Sequence, residues 1–284
     1  MANIINLPDF MLIEKKKFSK SSKLFFFLKG LFVGYFYKKL NGKYFCIFMN
    51  FLFRDDGKIF YEDGFYKKQL SNNMEINYPN KRVDRIIVNH KLHFELFIQT
   101  YCLQNIDFKK NDLVVDCGAN IGELFFALKF LGAEFDYFPF EPDPQNYIAL
   151  KKNLEKYSIS INKLALSDLS GKLDFYLSPG GDDSSIYGVP GSNKITVEAK
   201  KLDDYNIPKI KLLKLEAEGS EPEVLKGAKN TLKVIEFIAV DYGPERGIDE
   251  QNTAPEVTSY LYKNSFELVE LSNLRNVGLF KRKV

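Results

Sequence analysis

The sequence predicts an α/β protein built on a mostly parallel sheet, preceded by an extension rich in phenylalanine and lysine. Three observations support this prediction. From residue 112 onward, short apolar runs alternate with segments of helical periodicity, which is typical of strand–helix units in a parallel sheet. Two consecutive strand-like runs, 266–271 and 276–282, close the chain and indicate an antiparallel hairpin. The first 80 residues lack this alternation.

Composition and charge narrow the class of protein. The 284 residues are 45% hydrophobic and 27% charged, which suits a globular chain of one large domain or one domain with an extension. Three cysteines are too few for a disulfide framework and indicate a reducing compartment. Residues 1–50 hold nine lysines and two acids, a net charge of +7, whereas the whole chain carries +3, so residues 51–284 sum to −4. An acidic body argues against nucleic-acid binding.

The start of the chain lacks the basic segment and cleavage site of a secretion signal, and the apolar run 24–37 is too short to span a bilayer. We therefore expect a cytoplasmic protein. Residues 15–40 are predicted to form a basic, aromatic helix, which could bind peripherally at the inner face of the membrane. The alternative is that this helix packs on its own domain or on a second subunit of a homo-oligomer.

The elements follow in order along the chain. An extension spans 1–82 and contains a hairpin at 58–68, where aromatic runs flank a Glu-Asp-Gly turn. The main domain spans 83–284. Its predicted helices are 90–103, 122–131, 144–157, 221–230 and 255–264. Its predicted strands are 112–116, 135–140, 161–168, 171–178, 194–202, 210–215, 235–240, 266–271 and 276–282. Asp143 and Pro144 supply an N-cap and a first-turn proline for the third helix.

The segment LVVDCGANIGE, residues 113–123, is the most informative. A buried strand ends at Asp116, and a glycine turn then opens a helix, at the sheet edge where open α/β proteins bind ligands. Gly118 would remove a Cβ that blocks a ligand, and Gly122 would let the start of the helix lie close.

The spacing of the turn identifies the kind of ligand. It is G-x-x-x-G, through Ala119 and Asn120, and not the G-x-G-x-x-G of dinucleotide sites. An acid at the strand end suits a cationic ligand without phosphate, such as S-adenosylmethionine (SAM). A nucleotide and a tight turn without a ligand are the alternatives.

Two further strand ends fit an adenosine. Glu141, followed by Pro142, ends the second strand, where an acid can accept both ribose hydroxyls. At the third strand end, Leu166 could pack on the adenine ring and Asp168 could accept its amino group. A surface glutamate and an ordinary turn are the alternative interpretations.

Together these motifs resemble the FkbM-type SAM-dependent methyltransferases over about residues 83–270. The resemblance rests on VVDCGANIGE (114–123), FEPDP (140–144), LALSDLSG (164–171), LDD (202–204) and LLKLEAEGSEPEVLKGA (212–228). It implies a class I, Rossmann-like methyltransferase fold with a seven-stranded sheet, and methylation of a hydroxyl of a carbohydrate, glycolipid or related metabolite. Where the family usually has Lys-x-Asp-x-Glu-Gly, this chain has Glu216 in place of the aspartate. That departure leaves open a non-catalytic SAM- or glycan-binding subunit, and N-methylation of a small molecule is a further alternative.

The acceptor hydroxyl needs a base or a metal to remove its proton. Glu216, Glu218 and Asp241 follow the fourth and fifth strands of the predicted sheet and are candidates for catalysis. Glu216 and Asp241 could also hold Mg²⁺, although no third ligand is evident. His90 and His93 share one face of a helix and are further candidate bases, with a packing role as the alternative.

The loop 179–193 is rich in Gly, Ser and Asp, which is the composition of a sugar-binding loop or of a plain solvated loop. Arg246 could bind an anionic group on the acceptor, or form an ion pair with Glu245 or Glu250.

Overall fold

The computed structural model describes residues 19–53, 57–70, 74–178, 184–188 and 191–283. The chain divides into two compact units, Met1–Phe94 and Glu95–Val284. The predicted division between residues 82 and 83 stays a prediction.

The N-terminal unit combines two helices with a small antiparallel sheet. Its elements are α1 (Lys20–Lys39), α2 (Gly42–Leu52), β1 (Lys58–Glu62), β2 (Phe65–Gln69) and β3 (Glu75–Tyr78), followed by a 3-10 helix (Lys81–Ile86). The predicted hairpin is confirmed, because β1 pairs antiparallel with β2 across the Asp63-Gly64 turn. The predicted helix 15–40 is observed from Lys20, and residues 15–18 lie outside the described residues. The sequence did not predict α2 and β3.

The C-terminal unit follows the strand–helix order that the sequence predicts. Helix α3 (His90–Thr100) spans the division between the units. The other helices are α4 (Glu123–Phe130), α5 (Pro144–Leu154), α6 (Glu221–Gly227) and α7 (Ala254–Lys263), with short 3-10 turns at Glu155–Tyr157, Leu202–Tyr205 and Thr231–Val234. The strands are β4 (Leu113–Cys117), β5 (Asp136–Phe140), β6 (Ala165–Leu166), β7 (Gly171–Leu177), β8 (Asn193–Lys200), β9 (Ile210–Leu215), β10 (Ile235–Asp241), β11 (Pro244–Arg246), β12 (Gln251–Asn252), β13 (Phe266–Leu271) and β14 (Val277–Arg282).

Six of these strands form the main sheet in the order β13-β14-β10-β9-β4-β5. The four strands β10, β9, β4 and β5 are parallel, and the closing hairpin β13–β14 adds antiparallel to β10. Helices cover both faces. Val224 of α6 and Val257 of α7 pack in the same core cluster as Phe138 of β5, while Phe125 of α4 lies 5.3 Å, ring to ring, from Tyr137. The α/β class with a mostly parallel core is confirmed.

The predicted seven-stranded sheet is wrong for the described residues, because the main sheet has six strands. The segment predicted as one strand, 161–168, divides its backbone between two partners. Asn162 makes a single parallel bridge to Phe140 at the edge of the main sheet, and β6 then pairs with β8 in a separate sheet ordered β6-β8-β7. Pro139 gives the physical reason. It lacks an N–H, so the outer side of β5 cannot support a full ladder, and proline is confined to edge strands.

The cysteines and the length of the helices complete the description. Cys46, Cys102 and Cys117 are buried and unpaired. Among the helices in the described ranges, none has both the length and the apolar character needed to cross a membrane.

Candidate active site

Four predicted site carboxylates lie at one edge of the main sheet. Asp116 is near the end of β4, Glu141 follows β5, Glu216 follows β9, and Asp241 ends β10. Because these four strands are parallel neighbours, their carboxyl ends meet at the same edge, where α/β proteins bind ligands. The predicted catalytic and cofactor-binding acids therefore share one region of the C-terminal unit.

The glycine turn after β4 is held against the neighbouring strand ends. The backbone N–H groups of Gly118 and Ala119 both donate to the carbonyl of Phe140, at 3.1 and 3.0 Å. Gly118 has a φ of +76°, and a Cβ there would lie 2.0 Å from the carbonyl oxygen of Glu216. The space that glycine provides is thus taken by the chain after β9. The contact of Gly118 with a cofactor stays a prediction.

The end of the turn is positioned as the sequence suggested. A Cβ at Gly122 would lie 3.0 Å from the Leu150 side chain, so glycine lets the start of α4 approach α5. Asn120 has a φ of +49°, and its N–H donates to Glu141 at 2.7 Å. The turn and the end of β5 are therefore joined through the Glu141 carboxylate.

Glu141 is buried and accepts two backbone hydrogen bonds. One oxygen accepts the Asn120 N–H, and the other accepts the Asp143 N–H at 2.8 Å, across Pro142. Burial raises the pKa of Glu141 to about 8.

The N-cap predicted for α5 is confirmed, since Asp143 accepts the N–H groups of Gln145 and Asn146.

Asp116 is buried and contacts two neighbouring side chains. The Tyr137 hydroxyl donates to one carboxylate oxygen at 2.5 Å, and the Lys214 ammonium lies 3.2 Å from the other. Lys214 also donates to the Gly118 carbonyl at 2.8 Å. Burial raises the pKa of Asp116, and Lys214 opposes this rise. Contact of Asp116 with a cationic ligand stays a prediction.

Glu216 is the most strongly stabilised carboxylate of the site. Its oxygens lie 3.0 Å from Lys214 and 3.1 Å from Arg275, and the Tyr101 hydroxyl donates to it at 2.5 Å. Burial would raise its pKa, but Lys214 and Arg275 lower it to about 2. Glu216 is therefore ionised at neutral pH and has little tendency to accept a proton.

Arg275 forms ion pairs with three carboxylates. Its guanidinium lies 3.1 Å from Glu216, 2.8 Å from Asp241 and 3.3 Å from Glu245. Burial raises the pKa of Asp241 to about 6, with Arg275 opposing the rise. Burial also raises the pKa of Glu245 to about 8, and the charge of Asp241 adds to the rise. These two carboxyl groups thus titrate near neutral pH, in contrast to Glu216.

We call this group the charge cluster. It contains Asp116, Lys214, Glu216, Asp241, Glu245 and Arg275. Three of its members, Lys214, Arg275 and Glu245, were not predicted from the sequence, and neither was the Tyr101 hydroxyl that donates to Glu216. Lys214 could have been predicted, because it lies two residues before Glu216 and alternate residues of an extended strand share a face. Arg275 gave no such signal, since it lies in the turn of the closing hairpin.

The carboxylates proposed for Mg²⁺ do not fit that ion. Arg275 already lies between Glu216 and Asp241 and supplies the positive charge there. In the described part of the chain, no three His, Cys, Asp or Glu side chains gather in a way that could hold a metal.

Glu218 lies beside the cluster in a strained turn. Its φ is +48°, and its carbonyl accepts the Ser185 hydroxyl at 2.7 Å. The buried Glu221 accepts the N–H groups of Ala217 and Gly219, in the turn that leads into α6. A catalytic role for Glu218 stays a prediction.

The predicted adenine contacts differ in exposure. Leu166 is buried in the core cluster, whereas Asp168 is exposed and accepts the Ser167 hydroxyl at 3.3 Å. Their roles stay predictions. The candidate bases His90 and His93 belong to the N-terminal unit, where both rings lie edge-on to Phe94, and their catalytic role also stays a prediction.

Part of the predicted sugar-binding loop is tied to the site edge. The Ser184 hydroxyl donates to Asp143 at 3.0 Å, and Ser185 donates to Glu218 as above. Arg246 stacks 4.7 Å from the Tyr187 ring and pairs with Glu223, at 2.7 Å, instead of the acids expected from sequence. Residues 179–183, 189 and 190 lie outside the described ranges.

The chain is similar to several known proteins. The chain is 27% identical over 183 residues to the 2-O-methyltransferase NoeI of Sinorhizobium fredii (strain NBRC 101917 / NGR234), covering 57% of this chain and 74% of that protein. It is 29% identical over 149 residues to the hexuronic acid methyltransferase AglP of Haloferax volcanii, covering 51% of this chain and 60% of that protein. The crystal structure of a SAM dependent methyltransferase from Aquifex aeolicus superposes with a TM-score of 0.39 at 12% identity, over 66% of this chain and 88% of that chain.

A family model described as "Methyltransferase FkbM domain" matches residues 116–268, which is more than half of the chain. The match begins at Asp116 and includes the strand ends that carry Glu141, Glu216 and Asp241. The chain belongs to the FkbM family of SAM-dependent methyltransferases.

Proposed function

We propose that this enzyme transfers the methyl group of SAM to a hydroxyl of a carbohydrate, a glycolipid or a related small metabolite. The observation that carries this proposal is the pair of relatives whose names specify 2-O-methylation and a hexuronic acid acceptor. N-methylation of a small molecule is the second candidate, and it rests on the breadth of acceptors that a Rossmann-like scaffold can serve.

The residues at the sheet edge fit SAM in charge. Even with Glu245 protonated at pH 7, the charge cluster has three other acids against two bases, so the acids still exceed the bases in a largely buried region. Such an excess favours a sulfonium and an ammonium and disfavours the phosphates of a nucleotide.

The residues at the sheet edge also fit the adenosine of SAM. Each oxygen of Glu141 accepts one backbone N–H and keeps a further lone pair, since a carboxylate can accept about four hydrogen bonds. We infer that these lone pairs take the two ribose hydroxyls. Because a protonated carboxyl would accept fewer bonds, the raised pKa of Glu141 predicts that SAM binding strengthens as the pH rises toward 8.

SAM, when bound, would supply a methyl group on a positively charged sulfur, and that sulfur would leave as the neutral thioether S-adenosylhomocysteine when the acceptor oxygen bonds the methyl carbon in line. The chain must hold the acceptor hydroxyl in line and take its proton. We infer that Asp241 is the proton acceptor. Its pKa of about 6 leaves it ionised yet basic at pH 7, whereas Glu216, with a pKa of about 2, is too weak a base.

Glu216 and Arg275 act as positioning residues in this proposal. Glu216 binds Lys214 and Arg275 together, and Arg275 then holds Asp241 in place at 2.8 Å. Glu245, with a pKa of about 8, is protonated for the most part at pH 7 and becomes a second proton acceptor only in more alkaline solution.

The acceptor class is tested with labelled SAM and a panel of acceptors. The panel contains nucleotide sugars, hexuronic acids and simple glycosides, with primary amines as the contrasting arm. Transfer to a sugar oxygen, mapped by mass spectrometry and NMR, is the expected result. Transfer to amines alone would replace the proposal with N-methylation, and calorimetry with SAM and S-adenosylhomocysteine separates cofactor binding from turnover.

We also propose that the enzyme works in a reducing compartment, such as the cytoplasm. The support is that its three cysteines are buried as free thiols. Assembly as a homo-oligomer stays a prediction. Nucleic acid is not proposed as a partner because residues 51–284 are acidic overall.

A further inference from the structure

Helix α1 of the N-terminal unit presents a broad apolar face to solvent. Val33 is buried on its inner side, and on the opposite side the exposed residues recur at the three- and four-residue spacing of one helix face. Seven apolar side chains of α1 are each 51–62% exposed on this side: Leu24, Phe25, Phe27, Leu28, Leu31, Phe32 and Tyr35. Isolated exposed apolar residues are ordinary, but so many on one helix indicate an interaction surface.

Helix α2 extends this surface. Tyr44, Ile47 and Phe51 are spaced at three and four residues and are 75%, 66% and 75% exposed, while Phe45 and Met49 on the other side are buried. Burial of Phe45 and Met49 stabilises the helix on one side, whereas nothing in the described part of the unit accounts for the apolar side chains on the exposed side.

The two exposed faces join through an aromatic contact. The Phe32 ring of α1 lies 5.9 Å from the Phe48 ring of α2, and Phe48 lies 4.8 Å from Phe36. Lys81 holds the end of α1 by donating to the Tyr37 carbonyl at 2.7 Å. We call the combined exposed residues of α1 and α2 the outer face.

The positive charge of the two helices indicates which kind of partner the outer face binds. Residues 20–52 contain six lysines and no acidic residue. Lys38, Lys39 and Lys43 are exposed near the junction of the helices, and Lys29 lies against the Phe53 ring, with 4.7 Å between its nitrogen and the ring centre. Apolar side chains flanked by lysines suit the interface of an anionic bilayer, where the rings enter the acyl boundary and the ammonium groups meet the headgroups.

We infer that the outer face docks the enzyme on an anionic lipid bilayer, with α1 and α2 lying in the plane of the interface. A second copy of the chain is a weaker fit for the same face. Pairing two such faces would bring two segments of six lysines together without an acid between them. The inference does not depend on the acceptor, because its support lies wholly in the N-terminal unit.

Vesicle sedimentation of the full chain tests this inference. The probe is sucrose-loaded vesicles with about 30 mol% phosphatidylserine in phosphatidylcholine, compared with phosphatidylcholine alone. We expect binding to the anionic vesicles, weakened by raising the salt from about 0.1 M to about 0.5 M. Equal sedimentation with both vesicle types at both salt concentrations would contradict the inference.

Matched variants make the test specific. Leu28→Glu/Leu31→Glu should weaken vesicle binding about tenfold or more, since each exposed leucine would otherwise be buried in lipid. Leu131→Glu/Leu274→Glu is the control, because these leucines are 51% exposed in the other unit, and it should bind as the unmodified protein does. Circular dichroism checks that both variants are folded.

The charge contribution is tested separately. Lys38→Gln/Lys39→Gln/Lys43→Gln should weaken binding to anionic vesicles about fivefold for each lysine removed. If instead Leu28→Glu/Leu31→Glu converts a dimer to a monomer, measured by light scattering, without changing vesicle binding, the outer face belongs to a second copy and the inference is wrong. Methyl transfer to a soluble acceptor, measured in parallel, reports the proposed function independently.

Discussion

At the residue scale, two carboxylates that touch the same arginine differ sharply in basicity. Glu216 and Asp241 both pair with Arg275, at 3.1 and 2.8 Å. Glu216 also pairs with Lys214 and accepts the Tyr101 hydroxyl, so its pKa falls to about 2, while burial raises that of Asp241 to about 6. The number of cationic partners therefore decides which acid can serve as a base.

This difference predicts the effect of Asp241→Asn. The variant cannot accept the acceptor proton, so kcat should fall about 10²–10⁴-fold. In the unmodified enzyme, kcat should rise as the pH increases through about 6, because Asp241 must lose its proton. Methyl-transfer rates from pH 5 to 9 measure both effects.

The control for this prediction is Asp174→Asn, which removes an exposed acid paired with Lys194 in the small sheet. It should leave the rate and the pH profile unchanged. Retention of more than a tenth of the rate in Asp241→Asn would assign the proton to another group.

The buried ammonium of Lys214 leads to a second prediction. Burial would lower the pKa of Lys214, but Asp116 and Glu216 raise it, so the side chain stays charged. Lys214→Met would leave Asp116 without its cation and should lower the free energy of unfolding by about 3–5 kcal/mol. Lys226→Met, which breaks an exposed pair with Glu256, should cost about 1 kcal/mol or less. Urea denaturation of the two variants compares them, and equal losses would contradict the prediction.

At the element scale, the end of β4 depends on a close approach of two backbones. The turn at Gly118 lies against the chain that leaves β9, with the Glu216 N–H donating to the Cys117 carbonyl at 3.2 Å. This contact brings the β4 and β9 acids into one cluster. The loop segment 184–188 is then tied over the same edge by its serines.

This close contact of the two backbones predicts that Gly118→Ala destabilises the protein more than an alanine introduced at a similar turn with open space around it. The new methyl would lie 2.0 Å from the Glu216 carbonyl at a φ of +76°, so we expect a loss of about 2–5 kcal/mol. Gly132→Ala is the control. Its φ is +79° with open space around it, so it should cost only the backbone strain of about 1–2 kcal/mol. Thermal and urea unfolding measure both, and a Gly132 effect as large as that of Gly118 would refute the contact argument.

At the scale of the whole molecule, buried acids make stability depend on pH. The folded pKa values of Glu141, Glu245 and Asp241 are raised, to about 8, 8 and 6, above those of ordinary carboxyl groups. A raised carboxyl pKa stabilises the fold fully below the unfolded pKa, and this contribution is lost as the pH rises through the folded value. The lowered pKa of Glu216 acts in the opposite sense, but its contribution is lost only as the pH falls from about 4.5 toward 2.

We therefore expect the free energy of unfolding of the SAM-free enzyme to decrease as the pH rises from about 5 to 8. Chemical denaturation at four pH values measures this trend. The variant Glu141→Gln/Glu245→Gln should have a flatter profile, since two of the titrating groups are gone. A free energy of unfolding that increases over this pH range would show that the pKa values of these acids are not raised in the folded protein.

The sequence by itself determined the α/β class, the order of strands and helices, and the acids at the strand ends. These features are local, because apolar periodicity, the glycine turn and the Asp143 N-cap are each encoded within a few neighbouring residues. The family resemblance extended this to a methyltransferase, and the family match over 116–268 agrees with it.

Only the tertiary structure decided the six-stranded sheet and the composition of the charge cluster. Pro139 leaves β5 as an edge strand, so the segment after it divides between two sheets. Arg275 is 59 residues from Glu216 in sequence and reaches the site only when the closing hairpin pairs with β10. Glu245 is 29 residues from Glu216 and joins the charge cluster through its ion pair with Arg275. Long-range pairing and burial set the charges and pKa values there, and neither is visible in a local pattern of residues.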